Sequence, residues 1–552
     1  LAQYDIKAGD KVNYYFQVWD NDQVNGSKSA KSQVFTVSLP TEKEMDKKID
    51  DNSKEIKKEA DNAIDEIKKL QRQINDLSKR LVDKKELSWQ DEKEIKELMQ
   101  KQEQIKERVN QIQKNLEENS KIENNMSSQD KELMQKEEEI QKLFNDLQNN
   151  DLKELMQKLQ EITQKNFDKE KVNESLKDIK NKNEELSKQL DKNLEMYKRL
   201  EVEKDINNAV GKLKELSKKQ EELSNQTKNN SLNKEELNKR QQQLNKDFND
   251  LKQKMSEIKQ KDSQLETPFN FNKDTKKENS ISEKQNQAQK DIQKGKNKDA
   301  SNNQKSASQQ MKEMANSIEK EQEENQEEQL GEDINNVRQI LKNLVTLSKK
   351  QENLIYQTQS TSVSNPNYQK IINEQNTIKE AMESVGDSLY AISKRQSQVS
   401  NTINQEMSKV KSNVDNSLSS LLRFNQSLYS SYKNNQATSS QQYAMASMNN
   451  LSLLLAESLD NMNKQKQQSQ KNKGKASKQC NNPSSSGQGK SSPKTMRELQ
   501  EALNKEIQRL QQELSKRGNP AHHKIGEDAK MNEELAKAAA QQEMIRQMMQ
   551  DY

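Results

Sequence analysis

Two hydrophobic periods divide the chain. From Lys11 to Asp20, Val12, Tyr14, Phe16 and Val18 alternate with polar or mixed residues. A period of two predicts a half-buried β-strand. The segment Asp20 to Gly26 is rich in turn formers, and Val34 to Leu39 predicts a second strand with Phe35, Val37 and Leu39 on one face. Two strands do not make a stable domain. The pattern therefore predicts the terminal hairpin of a β-sandwich whose earlier strands are missing, ending at Pro40 and Thr41. A start on Leu1 beside strand-type sequence agrees with a fragment.

From residue 42 the period becomes helical. Ile56, Ala60, Ala63, Ile67, Leu70, Ile74, Leu77 and Leu81 recur at alternating steps of four and three, a heptad seam. The seam breaks over 82–87. Ser88 with Asp91 three residues later reads as an N-cap, after which Ile95, Leu98, Gln102, Ile105, Val109, Ile112 and Leu116 resume it. This predicts an antiparallel helical hairpin. Further seams follow at Leu152 to Ile162, Ile206 to Leu223 and Leu237 to Ile258, and then, in a second half, at Ala307 to Ile318, Leu330 to Leu344, Ile378 to Ile403 and Ala444 to Met462. Each lasts only a few heptads, which favours folded-back hairpins or a loose bundle over one unbroken rod.

The predicted organisation is a mainly α chain of long coiled-coil-like helices after a truncated Ig-like sandwich. Its parts are the closing strands (1–40), a helical region (42–260), a polar linker with Pro268 (261–300), a second helical region (301–462), a low-complexity linker (463–493) and C-terminal helices (494–552). Leu216-Ser-Lys-Lys-Gln220 echoes Leu347-Ser-Lys-Lys-Gln351, Ile392-Ser-Lys-Arg-Gln396 and, more distantly, Leu98-Met-Gln-Lys-Gln102. The spacing is too irregular for a solenoid of fixed period.

Composition sharpens this. Only 29% of the 552 residues are hydrophobic and 33% are charged, with 11 Gly and 6 Pro. So little apolar material argues against several compact cores, and so few turn formers against an all-β or loop-rich fold. Basic and acidic residues nearly balance, 93 against 89, and only 12 of the basic residues are Arg. Nucleic-acid recognition favours Arg, whose planar fork fits phosphate and base edges, so no nucleic-acid partner is expected.

Candidate chemistry is sparse. The sequence contains no phosphate-binding G-x-x-x-x-G-K-[ST] loop and no G-x-S-x-G elbow. Cys480 is the single cysteine, so neither an intrachain disulfide nor Cys-based zinc spacing exists. His522 and His523 are the two histidines; as sequence neighbours they point apart on a helix and read as part of a polar loop. Asp20, Asp22, Asn25 and Gly26 suggest a calcium loop but miss the EF-hand spacing, so a β-turn is the better reading. Trp19 and Trp89 are assigned to core or interface packing, and Met544, Met548 and Met549 to helix packing or an adaptable partner surface. No catalytic, cofactor-binding or metal residue is assigned, no cofactor or small-molecule substrate is expected, and the chain is read as not an enzyme. No run reaches the roughly 20 apolar residues of a bilayer-spanning helix.

One resemblance adds a setting. Tyr14-Tyr-Phe-Gln-Val-Trp-Asp-Asn-Asp22, then Val24-Asn-Gly26, a closing strand and a long Gln/Lys/Glu-rich helical region resemble the Bacteroidetes family called domain of unknown function four-one-seven-five; Glu534 to Arg546 adds to the likeness. The resemblance implies an inner-membrane protein with N-terminal membrane helices, Ig-like domains outside the cytoplasm and a helical region in the periplasm. It carries over no functional residue. The resulting expectation is a structural or scaffolding protein of the bacterial envelope that self-associates or binds protein partners through its helices, and reaches the membrane through a missing N-terminal segment. The alternatives are a surface adhesin or stalk, and a cytoplasmic nucleic-acid-associated coiled coil.

Overall fold

The structure is a computed structural model. It describes residues 9–20, 28–81, 88–126, 131–147, 152–164, 169–362, 365–425, 431–474 and 500. The described residues are mainly helical, with a small β-hairpin first. The strands are β1 (Lys11–Tyr14), β2 (Gln17–Trp19), β3 (Ser29–Lys31) and β4 (Phe35–Ser38). The helices are α1 (Glu42–Leu81), α2 (Trp89–Met126), α3 (Lys131–Asp146), α4 (Lys153–Gln164), α5 (Lys169–Lys228), α6 (Lys234–Asp262), α7 (Thr275–Gln293), α8 (Asn297–Ser360), α9 (Tyr368–Ser393), α10 (Asn401–Asn425) and α11 (Ser431–Gly474). They form two compact units, Leu1–Leu200 and Glu201–Tyr552.

In the first unit α1 and α2 form the antiparallel hairpin that the seams predict. All eight α1 seam residues and all seven from α2 are buried. Arg108 on α2 is held by Glu66 and Glu59 on α1, and Arg80 reaches Glu94 at the end where the chain passes from α1 to α2. Ser88 caps α2: its hydroxyl accepts from the Asp91 amide, and the Asp91 carboxylate accepts from the Ser88 amide in return. Such a reciprocal box satisfies two amides that the first helical turn otherwise leaves free. α3, α4 and the first part of α5 join the same core through Ile140, Phe144, Leu155, Leu176, Leu186 and Leu190.

The second unit holds two further cores. One spans Val202 to Ile318 and is built by the end of α5, α6, α7 and the start of α8. The other spans Leu330 to Met462 and is built by the rest of α8 with α9, α10 and α11. The two four-helix modules repeat one plan. Residues 216–227 and 347–358, on their first helices, are identical at nine of twelve positions. On the second helices Leu237, Gln241, Leu244, Phe248 and Ile258 correspond to Ile371, Gln375, Ile378, Met382 and Ile392, and all ten are buried. On the fourth, Ala300, Gln304, Ala307 and Met311 correspond to Ala437, Gln441, Ala444 and Met448, again all buried. Helices α6 and α9 both follow an Asn at the N-cap position, Asn233 and Asn367.

Three expectations change. The stretch 261–300 is not a linker. α6 runs to Asp262, an ordered loop follows, and α7 occupies Thr275–Gln293. The core side of α7 is Ile281, Gln285, Ala288 and Ile292, too polar a set to show as a hydrophobic period. Second, α5 and α8 are single helices of 60 and 64 residues, each longer than the seams read within it. The acidic run over 319–333 interrupts the α8 seam without interrupting its backbone, because Glu and Gln are good helix formers. Third, low apolar content does not prevent several cores, of which the described residues form three. The expected second linker begins inside α11, which runs to Gly474; the rest of it, and all of the C-terminal helices except Gln500, lie outside the described residues.

Helix ends follow local chemistry. Asn230 adopts a left-handed φ of 51°, and the Ser231 amide donates back to the Gln226 carbonyl, ending α5. Gly295 ends α7 in the same way at φ 72°, with the Lys296 amide reaching the Asp291 carbonyl. Asn and Gly are the residues that tolerate this conformation most readily.

Candidate interaction elements

Two arrangements stand out: an uncovered β-face, and a pair of buried polar layers. β1 pairs with β4 and β2 with β3, all antiparallel, as one bent hairpin. Tyr14 sits opposite Phe35 and Gln17 opposite Lys31, so Tyr15 and Phe16 face three residues, Ser32 to Val34. This is a β-bulge, closed by the Phe16 amide donating to Ser32 Oγ at 2.9 Å and the Ser32 amide donating to the Phe16 carbonyl at 2.8 Å. The extra residue restores the alternation beyond it. Val12, Tyr14, Phe16, Val18, Ala30, Phe35 and Val37 therefore share one face, as the ring contacts among Tyr14, Phe16 and Phe35 show (centroids 5.3–6.2 Å). The opposite face carries Thr36 bonded to Asn13, Gln17 bonded to Ser29, and the Lys31 ammonium over the Tyr15 ring. The apolar face is open: Phe16 is 64% and Val18 65% exposed.

The helical modules bury polar groups in layers. In the first, Gln220 and Gln241 exchange amide hydrogen bonds at 2.9 and 3.1 Å. Gln285 donates to Gln220 and Gln304 to Gln241, each at 3.0 Å. One glutamine from each of four helices thus joins a network inside an apolar core. In the second module Gln351 and Gln375 exchange bonds at 2.9 Å, and Gln441 donates to Gln375 at 3.2 Å. On α10 the buried set Val410, Val414, Ser417 and Leu421 follows the spacing of Ile281, Gln285, Ala288 and Ile292, which puts Val414 where α7 has Gln285. Beside the first layer, α5 and α8 approach through small residues. Ser217 and Ser308 each donate to the other's carbonyl, as do Ser224 and Ser301.

Each module also ends on an ion pair at the same place. Lys261, in the last turn of α6, binds Glu201 and Asp205 of α5, both at 2.8 Å. Those two carboxylates hold its ammonium above the ordinary lysine range despite burial. In the second module Arg395 follows α9 and grips Asp333 of α8 through Nε at 2.8 Å and Nη2 at 2.6 Å, while Gln396 Nε2 adds a bond at 2.7 Å. The Asp333 side chain is fully buried.

Of the residues singled out in sequence, Trp19, Asp20 and Trp89 are among the described ones. The Asp20 carboxylate accepts from the Lys28 amide at 2.8 Å. Asp22, Asn25, Gly26, Cys480, His522, His523, Met544, Met548 and Met549 lie outside the described residues. Neither tryptophan is a core residue: Trp19 lies on the polar hairpin face, and Trp89 is exposed at the start of α2 with the Lys93 ammonium 5.8 Å from its ring centroid. Sequence reading missed Lys192, fully buried on α5, whose ammonium burial pushes down to about 7. Its neighbours Gln189, Asn193 and Glu195 are buried too, and in sequence they look like any other polar positions of this Lys-, Gln- and Glu-rich helix. Among the described residues no group of His, Cys, Asp and Glu could hold a metal ion, and no helix is long and apolar enough to cross a membrane. No family model, curated protein or solved structure matches the chain.

Proposed function

We propose that the chain is a non-enzymatic scaffold of the bacterial cell envelope, a member of the inner-membrane family it resembles, with this part in the periplasm. The observation that carries the reading is α8. One helix of 64 residues, about 96 Å long at 1.5 Å per residue, serves as the last helix of one module and the first of the next. Consecutive modules therefore share a helix instead of a flexible link, a construction suited to holding partners at a set separation. Buried glutamines in both modules bond to one another across helices, which ties those helices together. Partner binding or self-association would use coiled-coil-like helical surfaces. The open aromatic face of the hairpin agrees with one layer of an Ig-like sandwich, since an apolar sheet face is ordinarily covered by a second layer about 10 Å away.

The test is fractionation of the source bacterium expressing the tagged gene product. The expected result is recovery with the inner membrane, with the helical region cut by added protease once the outer membrane is permeabilised and before the inner one is. Recovery in the cytosol, or protection until the inner membrane is lysed, would overturn the proposal.

A further inference from the structure

The glutamine layers have a role that apolar seams cannot fill. In the first module, α5 and α6 are joined by a short turn at 229–233, and α7 and α8 by 294–296. Each pair is thereby fixed as a hairpin. The connection between the hairpins is longer, 263–274. A slip of one hairpin along the other by a heptad, about 10 Å, would be within reach of such a loop. The apolar rungs oppose that slip weakly, because a heptad seam presents similar residues again seven positions on. The serine pairs oppose it weakly too. Ser217 and Ser224, like Ser301 and Ser308, are seven apart, so either slip leaves one serine still facing another. The glutamines are different. A slip carries Gln304 from the rung of Gln220 to that of Leu213 or Thr227, and strands primary amides among apolar side chains. Unpaired buried amides are far costlier than mismatched methyl groups.

We infer that the glutamine layer is a register lock, setting how the α5–α6 hairpin aligns on the α7–α8 hairpin, and that the second module keeps it in a three-glutamine form. Two of the four bonds, Gln285 to Gln220 and Gln304 to Gln241, cross between the hairpins and do the aligning. In the second module the crossing bond is Gln441 to Gln375. A single buried polar position is known to select register in paired helices, at a cost in stability.

The rival lock is the loop itself. The Asp262 carboxylate accepts from the Phe269 and Phe271 amides, and Asn325 on α8 donates to the Phe269 carbonyl at 2.8 Å. The experiment separates the two. In the full chain with Cys480→Ser, cysteine pairs replace either Ser217 and Ser308, the native rung, or Ser217 and Ser301, the rung shifted by one heptad. Mild oxidation should cross-link the first pair and leave the second free. After Gln220→Leu, Gln241→Leu, Gln285→Leu and Gln304→Leu together, the shifted pair should cross-link as well, at a yield of at least one tenth of the native pair. An unchanged cross-linking pattern in this variant, with helical circular dichroism retained, would overturn the inference. So would a shifted cross-link that appears on Asn325→Ala with the layer intact. Should the fourfold variant not fold, Gln285→Leu with Gln304→Leu removes only the crossing bonds, and the same two outcomes decide.

Discussion

Replacing Arg395 by Leu leaves the Asp333 carboxylate buried and without its guanidinium bonds, the shortest of them 2.6 Å. Asp333 sits at the second module's entrance on α8, with its side chain fully out of water, and receives three close donors, two of them from one guanidinium. Removing one partner of such a pair costs about 3–5 kcal/mol, because the remaining charge keeps its desolvation penalty and loses its compensation. Asp333→Leu should cost less, about 1–3 kcal/mol, since the Arg395 side chain is 19% exposed and can turn to water. Removing both together should cost less than Arg395→Leu alone, because no buried charge remains. A chain with several cores does not unfold in one step, so a global midpoint would blur these differences. Hydrogen exchange read on peptides covering 330–345 and 385–400 isolates them. At about 1.4 kcal/mol per tenfold, Arg395→Leu should speed exchange there by at least 100-fold in the regime where opening is a pre-equilibrium. The double variant should recover part of that protection. Exchange in the double variant as fast as in Arg395→Leu would refute the reasoning, since it would mean that Asp333 carries no uncompensated charge once Arg395 is gone.

Lys261, the equivalent residue in the first module, should matter less: its partners Glu201 and Asp205 are 12% and 32% exposed, so Lys261→Ala should cost about 1 kcal/mol and the cost should shrink in high salt, by the same exchange measurement. Ser88→Ala removes the acceptor for the Asp91 amide and should destabilise the start of α2 by about 1 kcal/mol, seen as faster exchange of residues 89–92 alone. Lys192 predicts a pH dependence. Its folded pKa of about 7 lies below the ordinary 10.5, so between these values the unfolded chain holds a proton that the folded chain does not. Stability of the first unit should therefore rise as pH increases from about 7 to 10.5, by up to roughly 5 kcal/mol, and fall to its low plateau below pH 7. Lys192→Met should flatten that rise and stabilise the unit most at pH 6–7; an unaltered pH profile in the variant's denaturant unfolding would refute the assignment.

The seams were legible because a heptad pattern needs only local regularity. Ile56 to Leu81 and Ile95 to Leu116 could be assigned to an antiparallel pair from spacing and one capping box, and their packing follows that reading. Gln102, Gln220 and Gln241 could be placed on seams as well. Their roles could not, because an amide on a seam has the same spacing whether it bonds to two other glutamines, as Gln220 and Gln241 do, or has no hydrogen-bond partner among the described residues, as with Gln102. α7 was missed for the related reason that its core side replaces a large apolar residue with Gln285. The continuity of α8 was missed because the end of a seam resembles the end of a helix, although the first reports which partner is touched and the second reports the backbone. The β-bulge had no signature in the alternation of Val12 to Val18, since its extra residue lies on the partner side, between β3 and β4.

The 29% apolar content looked like a deficit and is better understood as a stoichiometry. A chain that buries two residues in every seven needs about 29% apolar residues. A globular helix that packs a wider stripe needs three or four in seven. Part of α9 shows the narrow form: its buried large apolar residues after Gln375 are Ile378, Met382, Val385, Leu389 and Ile392, at steps of four and three, whereas α11 buries every residue from Leu451 to Ala456. Composition of this kind permits many cores, each one seam wide, provided that every helix finds partners on its narrow face. It also explains why polar layers carry so much of the specification. Seams made of Leu, Ile and Met at fixed steps are nearly interchangeable along their length, so two modules of similar seam sequence need something other than hydrophobic burial to hold one alignment. Amide pairs at a single rung provide it, and they are the feature that the two modules of this chain hold in common most closely after the seams themselves.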